Sequence, residues 1–281
     1  MKIAIFGKKI LSTRLLKEAF EARGHSVSLL RDALYFEPTD PESTLPSGFD
    51  AAYYVSGAGI VGRVCVSDFL NNKGIPIANK GIFLDPCFIN KIYQAYKVSQ
   101  NGILTPKTVT QVNASFDRIK SLLDSPFVLK SAFGSCGRKV YLIKDEKEFE
   151  EAKNDLRGDE LLYQKFIPND GDFRVHVVGG EAICAYKRVP EGDNFKANVS
   201  LGGGMEKIED EDLLSKIFEI SEKVAKSFKG AEIIGVDLMM HEETGEIYFL
   251  ESNELSGIKE VHEVTGINIA DKMVDYFESI V

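Results

Sequence analysis

Residues 235–255 read GVDLMMHEETGEIYFLESNEL and hold two carboxylates within runs that are otherwise apolar enough to be buried strands. The polar segment HEETG between the runs is typical of a hairpin turn. Strand pairing about a centre near residue 244 sets Asp237 opposite Glu251. The stretch therefore predicts a β-hairpin on which two acids face each other.

The face of this hairpin that carries Glu251 also carries Asn253, because side chains alternate across a strand. Ile247 and Phe249 fall on the same face, so both carboxylates are expected to be partly withdrawn from water, which is unfavourable without a compensating cation. Carboxylate and amide oxygens suit Mg²⁺ or Mn²⁺. The pattern by itself fits a metal site and a pair of acids on an exposed edge strand equally well.

A glycine-rich loop lies about a hundred residues earlier, in VLKSAFGSCGRKV (128–140) between two predicted strands. Backbone N–H groups of a loop that holds Gly134, Ser135 and Gly137 can fold over phosphate oxygens, and Lys130 supplies a positive charge beside them. The loop lacks the G-x-x-x-x-G-K-[ST] order of a Walker A loop. Because phosphate and metal act together in phosphoryl transfer, the loop and the hairpin jointly indicate a nucleotide site.

The chain of 281 residues is long enough for more than one compact unit. Two apolar runs, KIAIF (2–6) and HSVSLL (25–30), flank an amphipathic helix pattern and indicate a parallel α/β unit over residues 1–88. Residues 89–165 form a predicted α+β unit around the glycine loop. Residues 166–281 form a predicted α+β unit that contains the acidic hairpin.

The composition excludes several classes of function. Lysine and arginine number 34 against 43 aspartates and glutamates, and a net charge of −9 argues against a general attraction to nucleic acid or anionic membranes. The N-terminal apolar run ends at Gly7, and no stretch reaches the length of a membrane span. The four cysteines show no C-x-x-C spacing, so we expect neither a zinc site nor a disulfide scaffold. A cytoplasmic protein without nucleic-acid or membrane partners is expected.

With these motifs the sequence resembles the ATP-grasp superfamily, and within it the RimK-type carboxylate-amine ligases (alpha-L-glutamate ligase-like). The blocks that carry the resemblance follow one another along nearly the whole chain: NKIYQAYKVSQNGILTP (90–106), VLKSAFGSCGRKV (128–140), LLYQKFIP (161–168), DFRVHVVGGEAICAYKR (172–188), NFKANVSLGGG (194–204), GVDLM (235–239) and FLESNELSGIKEVHEVTGINIADKM (249–273). The resemblance implies a mixed α/β (α+β) fold class, in which two α+β ATP-grasp subdomains follow a Rossmann-like N-terminal domain. The N-terminal residues fit that domain only by general pattern.

The resemblance also implies a role for each motif residue. ATP would lie between the two α+β units and would contact Lys91, Lys130, Ser135, Gly137, Gln164, Lys165, Phe166, Asp172, Lys196 and Asn198. Two magnesium (or manganese) ions would be held by Asp237, Glu251 and Asn253. The implied catalytic residues are Arg188, which would neutralise a developing acyl phosphate, and Arg174, whose alternating strand leaves open whether it faces the cleft. The implied acceptor-substrate loop comprises Gly203, Gly204, Ser256 and Gly257.

The reaction that the resemblance implies is ATP-dependent ligation of a carboxylate to an amine. The carboxylate would attack the γ-phosphoryl group of ATP, and the amine would then attack the acyl phosphate to leave a peptide-like amide bond. The implied partners are small-molecule carboxylate and amine substrates or a peptide, with glutamate as the commonest amino acid of the family. The family also implies a homo-oligomer.

Two alternatives stay open. One is amino-group protection in lysine or arginine biosynthesis, with a carrier protein as substrate. Such relatives commonly carry an arginine before the glycine pair of the loop that here reads ANVSLGGGME, where Leu201 stands, and this departure together with the charge of −9 argues against an acidic carrier. The other alternative is an inactive ATP-binding regulatory or scaffold protein, which would be expected to lack the metal residues that this chain retains.

Overall fold

The structure is a computed structural model of the chain. It describes residues 1–6, 11–30, 37–45, 48–54, 60–85, 87–110, 113–134, 137, 139–192, 203–254 and 257–281. The helices and strands in these ranges group into an N-terminal, a central and a C-terminal region. None of the described helices combines the length and the hydrophobicity that a bilayer-spanning segment requires.

The N-terminal region contains a parallel sheet, and its described strands lie in the order β2, β1, β3, β4. Its elements are β1 (Lys2–Phe6), α1 (Leu11–Ala22), β2 (Ser26–Leu30), α2 (Pro41–Thr44), β3 (Ala51–Tyr54), α3 (Ile60–Asn72), β4 (Ile77–Ala78) and α4 (Lys80–Leu84). In β1, Ile3 and Ala4 are fully buried, as expected for a parallel strand covered on both faces. A parallel α/β unit is therefore present, while its assignment as a Rossmann-like domain stays a prediction.

The central region contains an antiparallel sheet in the order β5, β8, β6, β7. Its elements are α5 (Lys91–Ser99), β5 (Thr108–Val109), α6 (Phe116–Leu123), β6 (Phe127–Ser131), β7 (Val140–Ile143), α7 (Glu146–Asp155) and β8 (Leu161–Lys165). The rings of Phe127, Phe149 and Tyr163 form a separate hydrophobic core with α6 and α7. The sheet that carries the glycine loop thus has a core of its own.

The C-terminal region contains a second antiparallel sheet in the order β11, β10, β9, β12, β13. Its elements are β9 (Asp172–Val178), β10 (Glu181–Val189), β11 (Gly204–Lys207), α8 (Glu211–Ser227), β12 (Ile233–Met240), β13 (Ile247–Asn253), α9 (Lys259–Thr265) and α10 (Ile269–Ile280). One hydrophobic core joins this sheet to the N-terminal region, and Phe277 of α10 makes an edge contact with both Phe20 and Tyr53.

Helix α5 contacts the C-terminal sheet, although its position in the sequence assigns it to the central region. It belongs to the predicted 89–165 unit, yet the Gln94 side chain donates to the carbonyl of Ser252 at 2.8 Å and accepts from the Ser252 N–H at 2.9 Å. The helix is therefore attached to β13 of the C-terminal sheet. The predicted boundaries of the three units stay a prediction.

The register of the β12–β13 hairpin confirms the predicted pairing of Asp237 with Glu251. A register shift follows directly, because Leu238 pairs with Phe249 and Leu250 is left as the extra residue of a bulge. Leu250 and Glu251 both line the central cleft, whereas Phe249 is fully buried in the hydrophobic core. The expectation that Phe249 shares the face of Glu251 is therefore wrong, since it assumed unbroken alternation.

Asn79 fastens the N-terminal region to the C-terminal sheet. Its backbone N–H donates to the Glu232 carboxylate at 2.8 Å, and its side chain donates to the carbonyl of Ile233 and accepts from the Ile233 N–H at 2.6 Å. Two residues later, Gly81 lies so close to the 229–230 turn that a Cβ atom would overlap the carbonyl oxygen of Lys229. The contact between the two regions therefore requires a glycine at position 81.

We expect Gly81→Ala to lower the free energy of unfolding by about 1 to 3 kcal/mol, because the added methyl group forces two backbone segments apart. Urea denaturation followed by circular dichroism measures the change. Gly158→Ala is the matched control, since a Cβ atom there meets nothing within 4 Å and only the positive φ of 92° is strained. Equal losses in the two variants would contradict the steric explanation.

Candidate active site

A cleft of about 950 Å³, partly open to solvent, lies between the central and the C-terminal sheets. The lining residues are Lys91, Pro106, Val128, Lys130, Ser131, Gly134, Gly137, Val140, Gln164, Lys165, Phe166, Ile167, Asn169, Asp172, Arg188, Asp237, Met239, Leu250 and Glu251. The charged side chains of this lining interact with one another around Asp237, and we call this part of the cleft the charged end.

The charged end is built around Asp237 of β12, whose side chain is almost completely buried. Arg174 of β9 pairs with both carboxylate oxygens of Asp237, one of them at 2.7 Å. Arg188 of β10 donates to Asp237 at 3.0 Å and also to the carboxylate of Asp172. Three adjacent strands thereby place two guanidinium groups between two carboxylates.

The pKa values at this end follow from burial and from these ion pairs. Burial acts to raise the pKa of Asp237, but Arg174 and Arg188 hold it below its usual range. Burial also raises the pKa of Asp172 to about 6, although Arg188 acts in the opposite direction. Asp237 is therefore ionised at neutral pH.

Two lysines form the wall opposite these acids. Lys91 begins helix α5, donates to the carbonyl of Gly134 in the glycine loop and lies 3.3 Å from the Glu251 carboxylate. Lys130 lies on β6 and is 7% exposed, and burial lowers its pKa to about 8. Both ammonium groups line the same cleft as Asp237 and Glu251. Cations and carboxylates therefore alternate around one space.

The other end of the cleft is bounded by the chain that leaves β8. Gln164 is held by a hydrogen bond from its Nε2 to Thr108 Oγ1 at 2.9 Å, and the Lys165 N–H donates to the carbonyl of Lys107. Phe166 and Ile167 follow as cleft residues outside any strand. The cleft is also lined by the apolar residues Pro106, Val128, Val140, Met239 and Leu250, of which Val140 is the cross-strand partner of Lys130.

The chemistry of the donor set decides whether a divalent cation fits. No three His, Cys, Asp or Glu side chains within the described residues form a metal cage. Asp237 and Glu251 are cross-strand partners, and Asn253 Nδ2 lies 3.4 Å from Glu251 Oε1. Mg²⁺ is commonly held by one or two carboxylates together with substrate phosphates. These residues fit such a shared ion.

The structure brings together most of the residues predicted from the sequence. Those that line the cleft are Lys91, Lys130, Gly137, Gln164, Lys165, Phe166, Asp172, Arg188, Asp237 and Glu251. Arg174 and Asn253 lie behind this lining and contact Asp237 and Glu251.

The predicted acceptor loop is only partly described. Gly204 lies in edge strand β11, where it pairs with Val189, and neither Gly203 nor Gly257 lines the cleft. The remaining predicted residues, Ser135, Lys196, Asn198 and Ser256, as well as Leu201, lie outside the described residues.

Sequence reasoning missed Gln94, whose paired hydrogen bonds to Ser252 hold the strand between Glu251 and Asn253. A signal was available, because Gln94 lies three residues after Lys91 on the buried side of an amphipathic helix.

Comparison with known proteins places these features in a family. Residues 90–277 match the model of the RimK-like ATP-grasp domain. A probable alpha-L-glutamate ligase of Teredinibacter turnerae is 30% identical over 298 aligned positions, which cover 99% of this chain and 95% of the relative.

Two solved structures show a similar fold. A RimK domain ATP-grasp protein from Sphaerobacter thermophilus has a TM-score of 0.71 at 19% identity, with 98% of this chain and 99% of that chain covered. The ATP-grasp ligase PsnB, complexed with a phosphomimetic variant of its minimal precursor, Mg and ADP, has a TM-score of 0.76 at 16% identity, with 99% and 97% covered. The predicted ATP-grasp fold is confirmed.

Proposed function

The chain belongs to the RimK-like ATP-grasp family and is an ATP-dependent ligase, and from this premise we propose that it joins an amino acid such as glutamate to a small molecule or peptide. The bond formed is an amide, made through an acyl phosphate. The observation that carries the proposal is the charged end of the cleft. There Lys91 and Lys130 line the same space as Asp237 and Glu251, and the Lys91 ammonium lies 3.3 Å from the Glu251 carboxylate.

The lining of the cleft supports one orientation of ATP. The adenine ring would lie beside Phe166 and Ile167, and the phosphates would extend toward Lys91 and Lys130. The glycine loop would cover the phosphates, because Gly134 and Gly137 line the same cleft and the Gly134 carbonyl accepts a hydrogen bond from Lys91. The two lysines supply the positive charge that binds the phosphates.

The residues of the charged end would act mainly by neutralising and orienting charge. Mg²⁺, when bound at Asp237, Glu251 and Asn253, would supply Lewis-acid stabilisation of the transferred phosphoryl group, and we propose two such ions. Lys130 and Lys91 would hold the phosphate oxygens in line with the attacking carboxylate. Arg188 would offset the charge of the acyl phosphate, while Asp172 and Asp237 keep its guanidinium in place.

Arg174 would act as a positioning residue. Its guanidinium is nine-tenths buried and pairs with Asp237, so it sets the direction of the Asp237 oxygens. The strand pattern left the direction of Arg174 open, and the ion pair places it on the side of the sheet that carries Asp237. Its proposed contribution to catalysis is therefore indirect.

The amino acid is proposed as glutamate because the relatives at 27–30% identity carry the name probable alpha-L-glutamate ligase. A peptide acceptor is supported by the fold likeness to PsnB, whose complex contains a precursor peptide. Amino-group protection on a carrier protein remains the second candidate, although Leu201 and the net charge of −9 disfavour it. The retained acids and lysines of the cleft disfavour an inactive scaffold.

The test is ADP release from Mg²⁺-ATP across a matrix of amino acids and short peptides, with amide formation followed by mass spectrometry. We expect at least one carboxylate and amine pair to raise ADP release and to yield the condensed product. Tight ATP binding without product from any pair would overturn the ligase proposal and favour a binding protein.

Lys130 gives the proposal a pH dependence. Burial lowers the pKa of Lys130 to about 8, so a growing fraction of the free protein carries a neutral amine as the pH rises through 8. Phosphate favours the protonated form. We therefore expect the affinity for ATP to fall above about pH 8 and ATP binding at pH 8.5 to take up protons. Calorimetric titrations in buffers of different ionisation enthalpy measure this uptake.

The control for this titration is a pair of lysine variants. Lys130→Met should abolish the proton uptake and weaken ATP binding at pH 7 by about 10-fold to 100-fold, as for loss of a charge-assisted hydrogen bond. Lys144→Met, at an exposed position after β7, should behave like the wild type. Undiminished proton uptake by Lys130→Met would assign the titration to another group.

A further inference from the structure

A buried arginine in the N-terminal region has hydrogen-bonding capacity that the fold leaves unused. Arg63 lies on α3 and is 7% exposed. Its Nη1 donates to the carboxylate of Glu254, but its Nε and Nη2 are buried and have no hydrogen-bond partner among the described residues. A buried guanidinium with two unpaired donors is unfavourable unless a further acceptor arrives.

The two unpaired nitrogens lie on the same edge of the guanidinium group. Nε and Nη2 are the two parallel donors with which arginine binds a carboxylate in bidentate fashion. The third nitrogen is already held by Glu254, and the guanidinium lies 5.6 Å from the centre of the Phe83 ring. These two contacts restrict the rotation of the side chain, so the open edge has a defined direction.

The sequence position of Glu254 links Arg63 to the proposed metal ligands. Glu254 directly follows Asn253, one of the proposed metal ligands, and consecutive Cα atoms are only about 3.8 Å apart. The Tyr53 hydroxyl donates to the carbonyl of Glu254 at 3.4 Å and fastens the same residue to the N-terminal sheet. Arg63 is thus paired with the residue that directly follows a proposed metal ligand in the sequence.

A second unpaired group lies on the same face of α3. Ser67 is one helical turn after Arg63, is 1% exposed, and its Oγ also lacks a hydrogen-bond partner among the described residues. The helix therefore presents a buried guanidinium with two donors, and a buried hydroxyl, that lack hydrogen-bond partners among the described residues. Neither group takes part in the proposed ATP chemistry.

We propose that Arg63 binds a non-reacting carboxylate of the amino-acid or peptide substrate, so that the enzyme selects substrates with a free carboxylate beside the reacting group. This inference rests on the proposed ligase function, because it assigns the substrate end of that cleft. Glu254 is the positioning residue that holds the guanidinium, and Arg63 is the residue that touches substrate. A carboxylate fits better than a phosphate because two donors on one edge match its two oxygens, and Glu254 already offsets part of the positive charge.

The experiment measures binding rather than turnover, so it gives a result even if the reaction partner is unknown. The probes are L-glutamate, L-aspartate and Ala-Glu, each compared with its α-carboxamide, titrated calorimetrically into the protein with Mg²⁺-ADP. We expect the wild type to bind at least one free carboxylate at least 10-fold more tightly than its carboxamide. Arg63→Met should lose this preference with no change in the affinity for ADP.

Two further variants separate recognition from a purely structural ion pair. Arg63→Met leaves the Glu254 carboxylate buried without its partner and risks misfolding, so Arg63→Met/Glu254→Gln removes both charges. Glu254→Gln alone keeps the arginine edge and should keep the preference for the carboxylate, whereas the double variant should lose it. If the pair were only structural, Glu254→Gln and Arg63→Met would have the same effect, and that result overturns the proposal.

The remaining outcomes are also decisive. A wild type that shows no preference for any free carboxylate overturns the proposal, and so does inorganic phosphate that competes at the Arg63 edge where carboxylates do not. Failure of the ligase proposal is distinguishable, since it appears as absence of product in the ADP-release matrix while the carboxylate preference and its dependence on Arg63 persist.

Discussion

Glu251→Gln is expected to slow ADP release from Mg²⁺-ATP by about 100-fold to 1,000-fold while the protein stays folded. The substitution keeps the size of the side chain but removes the charge that opposes Lys91, 3.3 Å away, and that would hold the cation. Lys91, whose side chain is 9% exposed, loses this counter-charge but still donates to the carbonyl of Gly134, and the glutamine amide oxygen remains an acceptor. A loss of this size is typical when one group that stabilises transition-state charge is removed.

The measurement is a coupled assay of ADP release at saturating Mg²⁺, repeated over a range of Mg²⁺ concentrations. Raising Mg²⁺ should recover part of the lost rate, because the variant binds the ion more weakly. Glu243→Gln, in the exposed turn of the same hairpin, is the matched control and should retain the wild-type rate. Equal rates in the two variants, with both folded, would remove Glu251 from the proposed metal site.

Asp237→Ala is expected to lower the free energy of unfolding by about 3 to 5 kcal/mol. Arg174 is 9% exposed, and its ion-pair partner among the described residues is Asp237. The variant therefore leaves a buried guanidinium without a counter-charge. Arg188 is affected less, because its ion pair with Asp172 remains.

The control for Asp237→Ala is Arg174→Met/Asp237→Leu, which removes the cation as well. Urea denaturation should show that the double variant regains most of the lost stability, because apolar side chains of similar volume replace the pair. A double variant that is less stable than Asp237→Ala would contradict the explanation by an unpaired charge.

The Arg174–Asp237–Arg188 network also predicts how the difference in unfolding free energy between the wild type and Asp237→Ala changes with pH. Arg174 and Arg188 hold the pKa of Asp237 below its usual range in the folded protein. For a carboxyl with a lowered pKa, the stabilising contribution is present above its unfolded pKa of about 3.9 and is lost as the pH falls further. The difference between wild type and Asp237→Ala should therefore narrow below about pH 4, as measured by urea denaturation at a series of pH values.

Local patterns along the chain were enough to predict several elements of the site. Asn90 caps α5 and Asp145 caps α7, as the oxygen acceptors of these side chains favour, and Gly179 and Gly180, both with positive φ, form the turn between β9 and β10. Helix α3 was not predicted, because its residues IVGRVCVSDFLNN show no single apolar face. A sequence pattern identifies an element when residues close in the sequence stabilise it. It fails for a helix such as α3, whose buried side includes polar residues.

The sequence predicted the facing acids by centring the strand pairing near residue 244, which matches the observed pair of Asp237 and Glu251. The pairs nearer the turn, such as Met240 with Ile247, follow a different centre, so the bulge brings the two acids opposite each other. The bulge at Leu250 was not predictable, since it depends on how Phe249 reaches the core and on its N–H donating to the carbonyl of Leu104. That distant contact changes which side chains face the cleft.

The sequence by itself determined the kinds of chemistry present: oxygen donors on a hairpin and a lysine beside a glycine loop, the motifs by which the chain resembles ATP-dependent ligases. Tertiary structure alone decided which charges neutralise one another. The Arg174–Asp237–Arg188 network joins three strands, and Arg63 meets Glu254 across 191 residues. The physical reason is that an ion pair depends on distance and burial, neither of which spacing along the chain encodes.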